Sequence, residues 1–244
     1  MDIYNADYVE KLFDEMAGTY ELVNYLSSFG FSHRWRRQFV NKIDIQAGMV
    51  ICDLMCGMGE CWSSLAPRLA PHGQLVALDL SQGMLHGARK QAAKFPHLTI
   101  QIIKENALIN GLADESADCV ICGFGLKTFS EEQKEILAAQ IRRILKPNGV
   151  FSIIEVSVPT GWFFQKLYMF YLKRVIPLIG SLLLGNPENY RMLGVYTEKF
   201  GDSRSMMQAL AYQGLSVEYH HYFYGCATGI SGMKLELGKI NPFD

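Results

Sequence analysis

Five short apolar runs that carry few charges alternate with helix-like segments between residues 49 and 156. Runs of this kind are typical of parallel strands that are covered by helices on both faces of a sheet. Ser81 and Ser130 stand directly before two of the helix-like segments and suit the N-cap position. The pattern predicts an α/β fold with a doubly wound sheet. The predicted strands are 49–54, 74–80, 98–103, 117–123 and 149–156, and the predicted helices are 60–69, 82–94 and 131–145.

Two further segments are expected to decorate this sheet within one domain spanning residues 1–244. Residues 1–42 form an amphipathic helical cap, with apolar side chains at roughly helical spacing from Phe13 to Phe29. Residues 161–202 are rich in aromatic side chains and form a helical insertion after the fifth strand. Insertions at strand ends of such sheets commonly cover the substrate, so this one is interpreted as a lid. A last helix (203–213) and a strand (215–223) follow.

Charge and cysteine usage exclude several functional classes. Of the 244 residues 19% are charged, and the formal net charge is −1, which gives no electrostatic support for a nucleic-acid partner. The short basic group at Arg34, Arg36 and Arg37 is interpreted as a solvated helix face. Cys119 and Cys122 have a CxxC spacing, but in a strand they point to opposite faces. We therefore expect reduced core thiols and no metal site.

The chain start lacks the basic and apolar regions of a signal peptide, which favours a cytoplasmic protein. The uncharged stretch 175–187 is shorter than the ~18 residues of a spanning helix, and Pro177, Gly180 and Gly185 interrupt it. The aromatic insertion with its interspersed lysines suits a lipophilic acceptor or peripheral contact with a bilayer surface. A core-covering helix pair or a homodimer interface explains it equally well.

The segment after the first strand, DLMCGMG, is the clearest candidate for a ligand site. Gly57 and Gly59 allow a tight turn and close approach of a ligand to the main chain. Asp79 ends the next strand, where a carboxylate accepts both ribose hydroxyls of an adenosine. Trp62 stands where a dinucleotide fingerprint requires a third glycine. S-adenosylmethionine (SAM) has no phosphate and does not need that glycine, so the sequence predicts a SAM site.

Residues after the third and fourth strands extend this prediction. Asn106 is placed to pair with the adenine edge, with a simple turn role as the alternative. The main chain at Gly123 and Phe124 is expected to pass close to the methionine end of the cofactor. The predicted cofactor-binding residues are Asp53, Met55, Cys56, Gly57, Met58, Gly59, Asp79, Leu80, Met84, Asn106, Ala107, Gly123 and Phe124.

With these motifs the chain resembles the UbiE/Coq-type C-methyltransferases of ubiquinone and menaquinone biosynthesis. The segment YELVNYLSSFGFSHRWRR is similar to the family pattern YDxMNDxMSFGxHRxWKR, and FGLKT is similar to FGLRN. The stretch LKPNG followed by EVSVP is similar to LKPGG followed by EFSKP. The matching stretches are 20–37, 123–128, 145–149, 155–159, 175–182 and 190–193.

The resemblance implies a class I methyltransferase fold, with a seven-stranded sheet whose last strand is antiparallel. It also implies SAM contacts at Met58, Asp79, Asn106, Ala107 and Gly123, and ring-carbon methylation of a quinol or phenol. The chain departs from the family pattern at Tyr25, Met58, Gly123, Lys127 and Thr128. An N- or O-methyltransferase of specialised metabolism, and a SAM-binding protein with altered or lost transfer chemistry, are the alternatives.

Transfer to a ring carbon needs a base or a cation that makes the acceptor nucleophilic. The predicted catalytic residues are Lys127, Tyr20 and Tyr190, the last with Arg191 beside it. Lys127 serves either as a cation or as a base in this hypothesis. One of the adjacent residues His220 and His221 must face outward if they lie on a strand, and either is a weaker candidate.

Overall fold

Seven strands form one sheet in the order β3-β2-β1-β4-β5-β7-β6. The computed structural model describes residues 2–183 and 186–236. All neighbouring pairs are parallel except those of β7, which runs antiparallel to both β5 and β6. This confirms the expected doubly wound sheet with one antiparallel strand. The strands are β1 Val50–Leu54, β2 Gln74–Asp79, β3 Thr99–Lys104, β4 Ala117–Gly123, β5 Leu145–Val156, β6 Leu215–Tyr222 and β7 Ala227–Lys234.

Apolar cores lie on both faces of the sheet because the strands carry apolar side chains in both directions. One core packs α3, α4 and α5 against the sheet, and the other packs α6 and α10. A third apolar cluster joins α1 and α2 to α9. The helices are α1 Ala6–Met16, α2 Tyr20–Ser27, α3 Phe31–Val40, α4 Trp62–Leu69, α5 Gln82–Ala92, α6 Glu131–Ile144, α7 Trp162–Phe170, α8 Ile176–Leu182, α9 Pro187–Phe200 and α10 Arg204–Tyr212.

Two strands, β5 and β7, differ from the sequence prediction by more than one residue. β5 begins at Leu145 rather than at residue 149, and its pairing with β4 shifts register where Asn148 adopts a left-handed conformation, with φ 62°. This irregularity inserts extra residues into the strand, as a bulge does. β7 lies between β5 and β6 and had no sequence signal of its own, because small residues dominate the run ATGISGMK.

The N-terminal segment is helical, as predicted, and folds as three helices. Turns at residues 17–19 and 28–30 separate them, and Gly30 has the left-handed φ of 78° before α3. Met16 is buried, as the helical spacing predicts, but Phe29 is 80% exposed. Asp14 on α1 accepts hydrogen bonds from the Ser81 hydroxyl (2.5 Å) and the Gly83 N–H (2.8 Å). This contact fixes α1 to the N-terminus of α5.

The insertion after β5 is helical, as predicted. Helix α7 continues through a π-helical turn, Tyr171–Val175, into α8, and α9 returns towards the sheet. Gly185, which was expected to break the apolar run, lies outside the described residues. None of the helices in the described part of the chain is long and apolar enough to cross a membrane.

The cysteines behave as core thiols. All six are free and buried. Cys119 packs into the core on one face of the sheet and Cys122 into the core on the other. Residues 2–183 and 186–236 contain no group of histidine, cysteine and acidic side chains that could hold a metal ion.

Candidate active site

A cavity lies beyond the carboxyl ends of β1, β2 and β4. Ligands of open α/β sheets bind at this edge, where the strand order reverses between β1 and β4. The loop after β1 turns through Gly57 (φ 57°) and Gly59 (φ 79°), conformations that favour glycine. A Cβ on Gly57 would stand 3.0 Å from the Glu60 carboxylate, so a larger residue would displace that side chain slightly as well as strain the backbone. We call this space the cofactor cavity; its empty volume with the open mouth is about 860 Å³.

Asp79 at the end of β2 is the best-positioned carboxylate in this cavity. It accepts hydrogen bonds from the Gly57 N–H (2.8 Å) and the Ser81 N–H (2.9 Å). Burial raises the pKa of Asp79 to about 6, although these hydrogen bonds oppose the shift. A carboxylate with this support is fixed in orientation and ready to accept hydroxyl donors.

The charges around the cofactor cavity discriminate between ligands. Glu10, Glu60, Asp79 and Glu105 line it, whereas the lining contains one cationic side chain, Arg36. Glu10 is ion-paired with Lys104, and Glu60 with Arg36. Asp79 and Glu105 have no cationic partner among the described residues and would repel the pyrophosphate of a dinucleotide. They suit a nucleoside that carries positive charge and no phosphate, which is the chemistry of SAM.

Most of the predicted cofactor residues line this cavity. They are Met55, Cys56, Gly57, Asp79, Leu80, Met84, Asn106, Ala107, Gly123 and Phe124. The Asn106 side-chain oxygen accepts the Leu108 N–H at 2.9 Å, so it shapes the turn as well as facing the cavity.

Three predicted contacts are corrected by the structure. Asp53 is buried behind the cavity lining and accepts a hydrogen bond from the Trp62 indole N–H at 2.9 Å. The Met58 side chain packs towards Gly87 on α5, away from the lining. Gly59 sits against Trp62, whose ring atoms would be 2.7 Å from an added Cβ. These residues support the loop and do not face the cofactor cavity.

A second, larger cavity lies between α2, α3 and the aromatic insertion. Its empty volume with the mouth is about 1780 Å³, and its lining is dominated by apolar side chains. We call it the acceptor cavity. Phe29, Leu167 and Phe170 line it and are more than half exposed, so they form its rim. Deep in the cavity, Cys226 and Val156 belong to the sheet core.

All three predicted catalytic residues line the acceptor cavity. The Lys127 amine lies 2.7 Å from the Glu155 carboxylate, and both side chains are buried. Tyr190 is buried and its hydroxyl lies 2.7 Å from the Thr19 hydroxyl, which fixes α9 to the N-terminal cap. Burial raises the pKa of Tyr20, and the nearby Glu60 carboxylate raises it further, so its phenol stays neutral.

Tyr20, Arg36 and Phe124 line both cavities and therefore mark the place where they meet. Arg36 was interpreted as part of a solvated helix face, and the structure corrects this. It is 6% exposed and donates to Glu60 at 3.1 Å, whereas Arg34 lies in solvent. The basic triplet alone gave no sign of this, because the partner Glu60 belongs to the distant loop after β1.

The weaker candidates lie elsewhere. Arg191 is half exposed and ion-paired with Glu188 on the same helix, and it lines neither cavity. His221 faces outward as expected, and buried His220 contacts the Ser231 hydroxyl at 2.7 Å within the sheet. Neither histidine faces a cavity described above.

Comparison with known sequences agrees with this geometry. The sequence model of the ubiE/COQ5 methyltransferase family matches residues 1–234. The chain belongs to this family. A demethylmenaquinone methyltransferase of Thermus thermophilus is 32% identical over 89% of this chain and 97% of its own length. A demethylmenaquinone methyltransferase of Desulfitobacterium hafniense is 28% identical over 94% of this chain and 90% of its own length.

The chain is thus a SAM-dependent methyltransferase of the ubiE/COQ5 family. Solved structures support the fold. A SAM-dependent methyltransferase from Aquifex aeolicus aligns with a TM-score of 0.57 and 17% identity, covering 82% of this chain and 89% of that one. The class I methyltransferase fold implied by the sequence resemblance is confirmed.

Proposed function

We propose that this enzyme methylates a ring carbon of a quinol or phenol that carries a lipophilic tail. The observation that carries the proposal is the large apolar acceptor cavity, which meets the cofactor cavity at a small polar junction. An apolar tail lies in the acceptor cavity while the hydroxylated ring lies at the junction. The relatives named as demethylmenaquinone methyltransferases support an acceptor of this class.

The loop after β1 and the end of β2 are proposed to hold the cofactor. Asp79 accepts the ribose hydroxyls, and Gly57 presents its main chain. Asn106 and Ala107 border the adenine. Bound SAM supplies an electrophilic methyl group on a sulfonium centre. The overall reaction replaces one ring hydrogen by that methyl group and releases a proton.

The residues at the acceptor end are proposed to orient the ring and exclude water. Tyr20, as a neutral phenol, donates a hydrogen bond or packs on the ring. Lys127 is held by Glu155, so it contributes a fixed, largely compensated charge rather than a free amine. This favours the cation role over the base role among the two left open by the sequence.

The rim of the acceptor cavity is proposed to contact a bilayer surface, from which a lipophilic acceptor enters. Trp162 and Phe163 are 72% and 74% exposed and stand on α7 beside the rim residue Leu167. The Lys166 amine lies 4.1 Å from the Trp162 ring centroid. Aromatic side chains interleaved with lysine are typical of helices that lie in the headgroup region. In this proposal 1–42 and 161–202 act as cap and lid of a single catalytic domain.

Turnover identifies the acceptor chemistry. The purified enzyme is incubated with SAM and a short-chain prenylated 1,4-naphthoquinol that lacks a methyl group on the adjacent ring carbon and is kept reduced. We expect a product heavier by one methylene unit, with the new methyl on carbon by NMR. An oxygen-linked methyl group, or SAM binding without any turnover, contradicts the proposal.

Membrane contact is tested separately. Cosedimentation with phosphatidylglycerol-containing vesicles should fall at least about threefold in the Trp162→Ser/Phe163→Ser variant, since each exposed aromatic contributes apolar burial. Tyr212→Ser is the matched control, because Tyr212 is 90% exposed on α10, away from the rim. Equal binding of all three proteins to the vesicles would refute the proposal that this surface contacts a bilayer.

A further inference from the structure

Arg36 occupies the junction of the two cavities. Its guanidinium carbon lies 5.1 Å from the centroid of the Phe124 ring, and one of its terminal nitrogens lies 3.1 Å from the Glu60 carboxylate. Both ion-pair partners are largely buried, with side-chain exposures of 8% and 14%. A guanidinium held in this way is restrained at the junction, beside the place where transfer is proposed to occur.

Most of the hydrogen-bonding capacity of Arg36 is unused. An arginine side chain carries five N–H donors. Within residues 2–183 and 186–236 it donates one hydrogen bond, to Glu60. The described buried side-chain nitrogens and oxygens that lack a partner are the hydroxyls of Tyr219 and Tyr222. The unpaired Arg36 nitrogens are therefore not sealed inside protein; Arg36 lines the cofactor cavity, the acceptor cavity and a third cavity beside α5.

Lys127, the other cation that lines the acceptor cavity, is also held by a buried carboxylate but lies away from the junction. Glu155 is fully buried and contacts the Lys127 amine, and it also accepts the backbone N–H groups of Lys127 (3.0 Å) and Val156 (2.7 Å). Lys127 lines the acceptor cavity but not the cofactor cavity. Of the two, Arg36 is the cation with free donors at the junction.

We propose that Arg36 binds the ring oxygen of the acceptor as an oxyanion, with Glu60 fixing the guanidinium in place. The inference rests on the proposed function, because it assumes a hydroxylated ring as acceptor. Ionisation of the hydroxyl pushes electron density onto the ring carbon, which makes that carbon the nucleophile. A preorganised cation in a site of low water content stabilises such a charge far more than it would in solution. The planar guanidinium, with its N–H donors in fixed directions, also orients the ring.

The ionisation of a bound chromophore tests this role without turnover. We use 4-nitro-1-naphthol, whose phenolate absorbs in the visible, and titrate it with pH on the wild-type enzyme and on Arg36→Met and Arg36→Lys. Wild type should ionise the bound naphthol at a lower pH than free solution does. Arg36→Met should raise the midpoint by about one pH unit, a tenfold change in ionisation, and Arg36→Lys should recover part of it.

Two controls separate this role from a structural one. Arg34→Met removes an exposed cation from the same helix and should leave the midpoint unchanged. Calorimetry should show a SAM dissociation constant within about threefold of wild type for Arg36→Met. Circular dichroism checks that the variants fold. If Arg36→Met does not fold, the pH midpoint of Arg36→Lys is compared with that of wild type instead.

Three results overturn the inference. Wild type ionises the naphthol no more readily than solution does, Arg36→Met (or Arg36→Lys, if Arg36→Met does not fold) titrates like wild type, or the loss appears in SAM affinity with the midpoint unchanged. The last result would assign Arg36 to the cofactor. The proposed function fails differently, through absence of a carbon-methylated quinol with the wild-type enzyme, whatever the naphthol titration shows.

Discussion

Cofactor binding should release a proton from Asp79. Burial raises the pKa of this carboxyl to about 6 from its ordinary value of 3.8, so near pH 6 about half of the free enzyme carries the proton. A cationic ligand that donates ribose hydroxyls favours the ionised carboxylate. We therefore expect about half a proton to be released per SAM bound near pH 6, and almost none near pH 7.5.

The size and the sign of the pH dependence follow from the same shift in the pKa of Asp79. A difference of about two pKa units corresponds to about 3 kcal/mol against the ionised form. Because the folded pKa is raised, ionised Asp79 costs stability as pH rises from 3.8 through about 6. A ligand that lowers this pKa therefore binds more tightly as the pH rises through the same range. If binding restores the ordinary value, SAM affinity near pH 5 is about tenfold weaker than near pH 7.5.

Calorimetry near pH 6 in two buffers of different ionisation enthalpy measures the released protons. Asp79→Asn is the control, because it keeps the shape of the side chain and removes the titrating group. Burial raises the pKa of Asp53 to about 7 and the Asp79 charge raises it further, but Asp53 is held by the Trp62 indole N–H and is not part of the lining of the cofactor cavity. A proton count near zero in wild type, or an undiminished count in Asp79→Asn, refutes the reasoning.

Two stability predictions concern buried groups. Lys127→Met leaves the Glu155 carboxylate without its cation and should lower the free energy of unfolding, measured by urea titration, by about 3–5 kcal/mol. The double variant Lys127→Met/Glu155→Gln removes both charges and should lose less stability. Equal losses in the two variants would contradict the pairing. Gly59→Ala places a Cβ at φ 79° and 2.7 Å from the Trp62 ring, so it should lose at least ~1–3 kcal/mol. Gly18→Ala, which meets nothing within 4 Å, is the matched control, and an equal loss in both would contradict the strain argument.

The sheet was largely readable from the sequence because buried parallel strands leave a strong local signal. The charge-poor runs predicted β1 and β4 within a residue. β7 was missed as a separate segment, since its glycines and serines resemble a loop and its position between β5 and β6 is fixed only by long-range pairing. The irregular start of β5 was missed for a related reason, because a turn signal at Asn148 does not reveal that pairing continues on both sides.

The candidate site was predictable where it depends on local backbone and less so where distant elements meet. Gly57 and Asp79 follow from the loop and strand pattern. Met58 stands between them in sequence, yet its side chain packs on α5, which only the tertiary fold decides. Arg36 pairs with Glu60 across 24 residues, and no local periodicity distinguishes it from its exposed neighbours.

Helix α1 has a consequence for the order in which ligands exchange. Its residues Ala6, Val9, Glu10 and Phe13 line the cofactor cavity, and Asp14 anchors its end to Ser81 and Gly83. These polar contacts oppose any movement of α1 that would widen the cofactor cavity. The acceptor cavity is bordered instead by Phe29 and Leu167, which belong to a different rim. Because the two rims are separate, we expect the two products to leave independently of each other.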